Sequence, residues 1–169
     1  MKLKIVLIPL VLILLMGCTT LNSDGSPRWT THPPSSWRTY YAVGYARLSN
    51  VANSRLSAEA NARDAIARWT GTTVDSALTN YVEDYGGGYS LETMQQVSSQ
   101  TVKISLRGTQ TEKQWVAPDG GLYVLVSFPL KYLKEAYKEQ SAALVREQEL
   151  EKAQILIDYL EKELQKEGR

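Results

Sequence analysis

Thr39–Arg47 reads TYYAVGYAR. Tyr41, Val43 and Tyr45 alternate along it between turn-forming neighbours, and aromatic and β-branched residues at a period of two predict a β-strand. Gly44 packs no side chain of its own, so inside a strand it marks either a bulge or the close approach of a helix. From about Val51 to about Asp84 the pattern changes. The stretch is alanine-rich, and Ala62, Ile66, Trp69, Thr73, Ala77 and Tyr81 recur every three or four residues. That spacing lays an apolar stripe along one face of a helix built from strong helix formers, with Gly71 as its one candidate break.

Further on, Tyr85–Ser90 contains Gly86, Gly87 and Gly88 and reads as a loop. Leu91–Arg107 divides in two: its first half (LETMQQVSSQ) has helical character, and its second (TVKISL) alternates like a strand. Thr109–Val116 and Leu122–Phe128 read as strands, joined by Pro118-Asp119-Gly120-Gly121, which carries hairpin chemistry. Pro129 closes the second strand. Leu130–Gln165 has neither proline nor glycine and predicts one long helix. It has two apolar phases. Leu130, Leu133 and Tyr137 can pack on the domain. Leu150, Ala153, Ile157, Leu160 and Leu164 follow a seven-residue repeat in a shifted phase, flanked by Glu161, Lys162 and Glu163. This second stripe suits a self-association or partner-binding seam, a helix folded back on its own core, or a frayed tail.

At the N-terminus Lys2 and Lys4 precede the apolar run Ile5–Met16, interrupted only by Pro9. Crossing a bilayer takes about 20 apolar residues, whereas an export signal needs roughly 7 to 15. The run is therefore read as a signal. Leu15-Met16-Gly17-Cys18 resembles the bacterial lipobox, which implies a diacylglyceryl thioether on Cys18, cleavage between Gly17 and Cys18, and further acylation, with palmitate among the chains. Several buried acyl chains, at about 0.8 kcal/mol per methylene, hold far more firmly than one myristoyl group. Thr19 follows the cysteine rather than Asp, which by analogy points to the outer membrane. Thr19–Ser36, rich in Ser, Thr, Pro and Gly, reads as an extended tether with an r.m.s. span of roughly 20 to 25 Å. The organisation expected is a signal at 1–17, a lipidated tether at 18–36, an α+β domain at 37–129 and a charged amphipathic helix at 130–169.

A chain of 169 residues suits one domain with flanking segments. Of 19 Lys and Arg, two lie in the signal, leaving 17 cations against 18 anions. Such a balance argues against nucleic acid as a partner. Cys18 is the only cysteine, so no internal disulfide forms, and His32 is the only histidine, so no zinc site is expected. The Gly86–Gly88 run lacks the Lys-Ser/Thr of a phosphate cradle. Glu83 and Asp84 are read as solvated acids. No catalytic constellation, metal, cofactor or small-molecule substrate is expected, and the chain is read as non-enzymatic. Tyr and Trp dominate the aromatics, at 10 and 4 against one Phe. Trp29, Trp37, Tyr40 and Tyr85 are candidates for a glycan- or partner-binding surface or for core and rim packing; Trp69 and Trp115 are assigned to the core.

Several segments together resemble the LPP-twenty family of bacterial surface lipoproteins. They are Pro27-x-Trp29, Pro33-Pro34, Tyr41–Ala46, Ala62-Arg63-Asp64-Ala65, Gln100-Thr101-Val102, Gln114-Trp115 and Tyr123–Val126. The resemblance covers about Pro27 to Phe128. It implies an α+β domain with a small antiparallel sheet packed on a helix, a dodecin-like β-α-β-β core, followed here by the long C-terminal helix. It also implies an envelope lipoprotein of structural or interaction type, self-assembling in flagellar or surface structures or holding an envelope protein partner, on the periplasmic or surface face of the outer membrane. The alternative is a ligand-binding or regulatory lipoprotein engaging cell-wall glycan or a periplasmic enzyme.

Overall fold

Strand β1 (Thr39–Ala46) enters helix α1 (Val51–Tyr85) through a capped turn. The Asn50 side chain accepts the Ala52 N–H at 2.7 Å, which satisfies one of the free amides of the first turn. The Ser54 hydroxyl accepts the Leu48 N–H at 2.9 Å. After α1 come helix α2 (Leu91–Ser105), strand β2 (Gln110–Val116), strand β3 (Leu122–Pro129), helix α3 (Leu130–Leu144) and helix α4 (Leu150–Glu167), with short 3-10 turns at Arg28–Thr30 and Leu106–Gly108. The computed structural model describes residues 21–85, 91–144 and 150–167. The signal, Gly17 and Cys18 of the lipobox, and the Gly86–Gly88 run lie outside the described residues.

The three strands form one antiparallel sheet in the order β1-β3-β2. The β2–β3 hairpin turns where the sequence places it. Gly120 adopts φ +83°, its N–H reaches the Ala117 carbonyl at 2.9 Å, and the Asp119 carboxylate accepts the Gly121 N–H at 3.0 Å. Central β3 presents Leu122, Val124, Val126 and Phe128 to the helices, and all four are buried.

Gly44 sits where α1 crosses β1. A Cβ built there would lie 1.8 Å from the Ala58 carbonyl oxygen and 2.6 Å from the Ala62 nitrogen, both backbone atoms. Of the two readings of this glycine, the close helix approach is the one realised. Ala42 and Ala46 flank it on the same strand face, and Ala58 and Ala62 line the facing helix, all buried. Small residues on both sides let helix and sheet backbones touch.

At 1.5 Å per residue the 35 residues of α1 run about 52 Å, whereas the eight of β1 span about 26 Å. Half of α1 therefore overhangs the sheet. Its apolar side chains there, Val74, Ala77, Leu78 and Tyr81, are buried all the same, because α2 and α4 pack against it. Gly71 does not interrupt the helix; it faces Val102 of α2, whose Cγ2 lies 3.8 Å from a Cβ built there.

Two sequence expectations change on this account. TVKISL belongs to helix α2 and the following 3-10 turn rather than to a strand. Val97, Thr101 and Ser105 recur every four residues and are buried with Ser98, so packing on α1 and α3 outweighs the strand preference of Val, Ile and Thr. The span expected as one helix from Leu130 holds two, α3 and α4. Helix α4 packs antiparallel along the overhang of α1, with Leu156, Ile157 and Leu160 buried. Asn80 Nδ2 donates to Glu163 Oε1 at 2.7 Å, and Tyr159 donates its hydroxyl proton to Asp84. Of the readings open for this stripe, the helix folded back on its own core is the one observed.

Within the tether, Leu21–His32 is folded rather than extended. Leu21 bridges to Pro27, the Asn22 N–H reaches the Ser26 carbonyl at 2.8 Å, and Asp24 accepts both the N–H and the hydroxyl of Ser26. Those hydrogen bonds hold the Asp24 carboxyl below its usual pKa. The 3-10 turn Arg28–Thr30 packs against β3. On the face of β3 turned away from α1, Leu125 and Ser127 are buried.

Gly44→Ala forces a methyl group into helix backbone and should lower stability by about 3 kcal/mol or abolish folding. Gly71→Ala meets only ordinary contact in a helix interior and should raise stability by about 0.5–1 kcal/mol. Urea denaturation of the two variants checks this pair; equal losses at both positions would contradict the packing described.

Candidate functional site

An open cleft of about 830 Å³ lies where the start of β1, the β3–α3 junction and the end of α4 meet. The Leu130 N–H donates to the Arg38 carbonyl at 2.9 Å, which holds the two chain segments side by side. Trp37 forms one wall and is 70% exposed. Leu130 and Leu164 line the interior, and the cations Arg38, Lys131 and Lys134 stand around it. The Arg38 guanidinium lies 4.0 Å from the centroid of the Trp37 ring, and Lys131 Nζ lies 4.9 Å from that of Tyr132. Lys134 is paired with Glu161. No carboxylate lies within ion-pair distance of Arg38 or Lys131 among the described residues. A flat aromatic, apolar side chains and uncompensated positive charge together suit an anionic amphiphile.

The four aromatic candidates part company here. Trp37 is the one that faces open solvent among those with described side chains. Tyr40 stacks on Trp69 with ring centroids 4.2 Å apart and planes within 9°, and Trp69 Nε1 donates to Glu167 at 3.4 Å. Burial, then the nearby Glu167 carboxylate, pushes the Tyr40 phenol above its ordinary pKa. Tyr40 and Trp69 therefore clasp β1, α1 and α4 together. Trp29 is half-buried in the N-terminal 3-10 turn, and the Tyr85 side chain lies outside the described ones. Trp115, expected in the core, stands on the outer face of the sheet with Tyr123, 5.6 Å between ring centroids, and Tyr45 flanks Tyr123 at 4.7 Å. Its register opposite Tyr123 puts it on the side away from α1.

Other residues singled out in the sequence are structural. Arg63 of the Ala62–Ala65 segment donates to Glu59 at 2.9 Å and to the Thr109 hydroxyl, tying α1 to the entry of β2. The hydrogen bond from Arg63 holds the Glu59 carboxyl below its usual range. Asp84 is engaged by Tyr159, and Glu83 is exposed. His32 is exposed and shares a 2.9 Å hydrogen bond with the Thr31 hydroxyl. Among the described residues no three of His, Cys, Asp and Glu gather closely enough to hold a metal ion. The cations of the cleft escaped sequence reasoning, because Arg38 and Lys131 meet only through the pairing of β1 with β3.

Helix α4 supplies one wall of the cleft and the cover over α1, so both should fail together. Ending the chain before Leu150 exposes Val74, Leu78 and Tyr81; the expected result is loss of a cooperative melting transition. A truncated chain that melts like the whole would show α4 to be an accessory.

No curated protein matches the chain. Residues 27–128 match the model of the LPP20 lipoprotein family, from the N-terminal turn to the end of β3. That span covers the sheet, α1 and α2, leaving α3 and α4 beyond it. With more than half its length matched in one continuous segment, the chain belongs to the LPP20 lipoprotein family.

Proposed function

We propose that this lipoprotein is exported, cleaved after Gly17, acylated on Cys18, and carried on the outer membrane as a non-enzymatic structural or interaction subunit that associates with copies of itself. The folded N-terminal turn supports the mooring. Only Thr19 and Thr20 stand between Cys18 and Leu21, and Leu21 is already bridged to Pro27 beside the turn that packs on β3. Three residue steps reach at most about 11 Å. An acylated Cys18 therefore holds the domain against the bilayer surface rather than on a long leash. No helix among the described residues is long and apolar enough to cross a membrane, so the lipid graft is the attachment this reading requires.

The association reading rests on one end of the sheet. Ala46, Leu122 and Val116 lie abreast there, and Val116, together with Leu48 and Val51 just after Ala46 in the chain, is more than half exposed. Helix α1 packs on β1 and β3 while β2 stays exposed along nearly its whole length. Apolar side chains grouped at an uncovered sheet end suit contact with another protein surface.

Two measurements test the two halves. Cys18→Ser should abolish labelling by a fatty-acid probe and move the chain from the membrane to the soluble fraction; unchanged labelling or location removes the anchor. Light scattering of the detergent-solubilised wild-type lipoprotein should give more than one chain per particle, and Val51→Glu with Val116→Glu should reduce it to one. A wild-type monomer at every concentration removes self-association.

A further inference from the structure

We infer that the cleft beside Trp37 is a second membrane contact, in which Arg38 and Lys131 take the phosphate of an anionic phospholipid headgroup while Trp37 enters the interface. This rests on the reading of Cys18 as the acylated residue. Charge complementarity carries the choice of occupant. The mature chain is nearly neutral, yet three cations surround this cleft and only Glu161 among its lining residues is acidic. Lys134 is already neutralised by Glu161, which leaves Arg38 and Lys131 to attract an anion. An Arg guanidinium offers a planar fork of donors that matches phosphate oxygens.

The apolar elements fit the same occupant. Leu130 and Leu164 line the cleft interior, giving the glycerol backbone and first acyl carbons a surface to lie on. Trp37 is a large indole, 70% exposed, at the cleft mouth. Trp with neighbouring Arg or Lys is the residue pairing that settles at a membrane–water interface. The short reach from Cys18 to the folded turn supplies proximity, because a domain held within about 11 Å of the surface must present some face to it. Each basic residue near an anionic surface strengthens attachment about fivefold, so two uncompensated cations are enough to bias orientation.

The test uses the whole acylated lipoprotein, recovered from membranes and reconstituted into phosphatidylcholine vesicles with or without phosphatidylglycerol, all carrying brominated acyl chains. Mass spectrometry of the N-terminal peptide reports acylation independently. Tryptophan emission should be quenched more with phosphatidylglycerol than without it, and the difference should vanish in Trp37→Phe. Arg38→Gln and Lys131→Gln should each weaken docking about fivefold, and added salt should weaken it as well. The exposed Trp37 and its charged neighbours tolerate substitution, and the melting temperature of each variant verifies the fold. An acylated chain whose Trp37 is unquenched, or quenched equally in neutral vesicles, overturns the docking and leaves the anchor standing. Relief of quenching by soluble cell-wall glycan assigns the cleft to sugar instead. A chain without acyl groups overturns the anchor and this inference with it.

Discussion

Everything in the domain is arranged around the place where α1 touches β1 without a side chain between them. Gly44 faces the backbone of Ala58 and Ala62, and a methyl group at Gly44 would occupy the same space as a carbonyl oxygen. That contact fixes the height of the helix above the sheet. With the helix so low, Ala42 and Ala46 suffice on β1, while the larger Val124, Val126 and Phe128 fill the space over β3. The remainder follows from length. A helix about twice as long as its strands leaves an apolar half in the open, and α2 and α4 exist in their positions to cover it.

The parts of the fold legible in the sequence are those governed by local pattern. The β1 alternation, the α1 stripe through Ala62, Ile66, Thr73, Ala77 and Tyr81, and the Asp119-Gly120-Gly121 hairpin all depend on residues near each other in the chain. Gly44 was legible as an anomaly, since a glycine at a buried strand position asks for a close neighbour. What was not legible depends on contacts between distant segments. TVKISL has the composition of a strand, and only the burial of Thr101 and Ser105 between helices makes it helical. The division between α3 and α4 carries no Gly or Pro, yet the shift of apolar phase between Tyr137 and Leu150 was its sign in the sequence. The Ser/Thr/Pro/Gly composition of Thr19–Ser36 concealed a turn held by Asn22, Asp24 and Ser26 hydroxyl and amide hydrogen bonds.

The candidate site was half legible for the same reason. Trp37 was named in the sequence as one of four aromatics that could line a binding surface. Its partners Arg38, Lys131 and Lys134 looked like ordinary surface cations, because nothing local links the start of β1 with the start of α3. Tyr40, a surface candidate in the sequence, and Trp69, assigned to the core, prove to be one stack. In the proposed function the chain works by placement: a lipid graft at Cys18, a turn that removes slack, a cationic aromatic cleft, and an uncovered sheet end for neighbours.

The claim on which this account turns is the absence of slack between the graft and the fold. Neutron reflectometry of the acylated protein on a supported bilayer measures the layer between headgroups and protein directly. The account predicts protein density beginning at the headgroups, with a separation no greater than the roughly 11 Å that Cys18 to Leu21 can span. A hydrated gap of roughly 20 to 25 Å, the reach of an open chain of that composition, would contradict it.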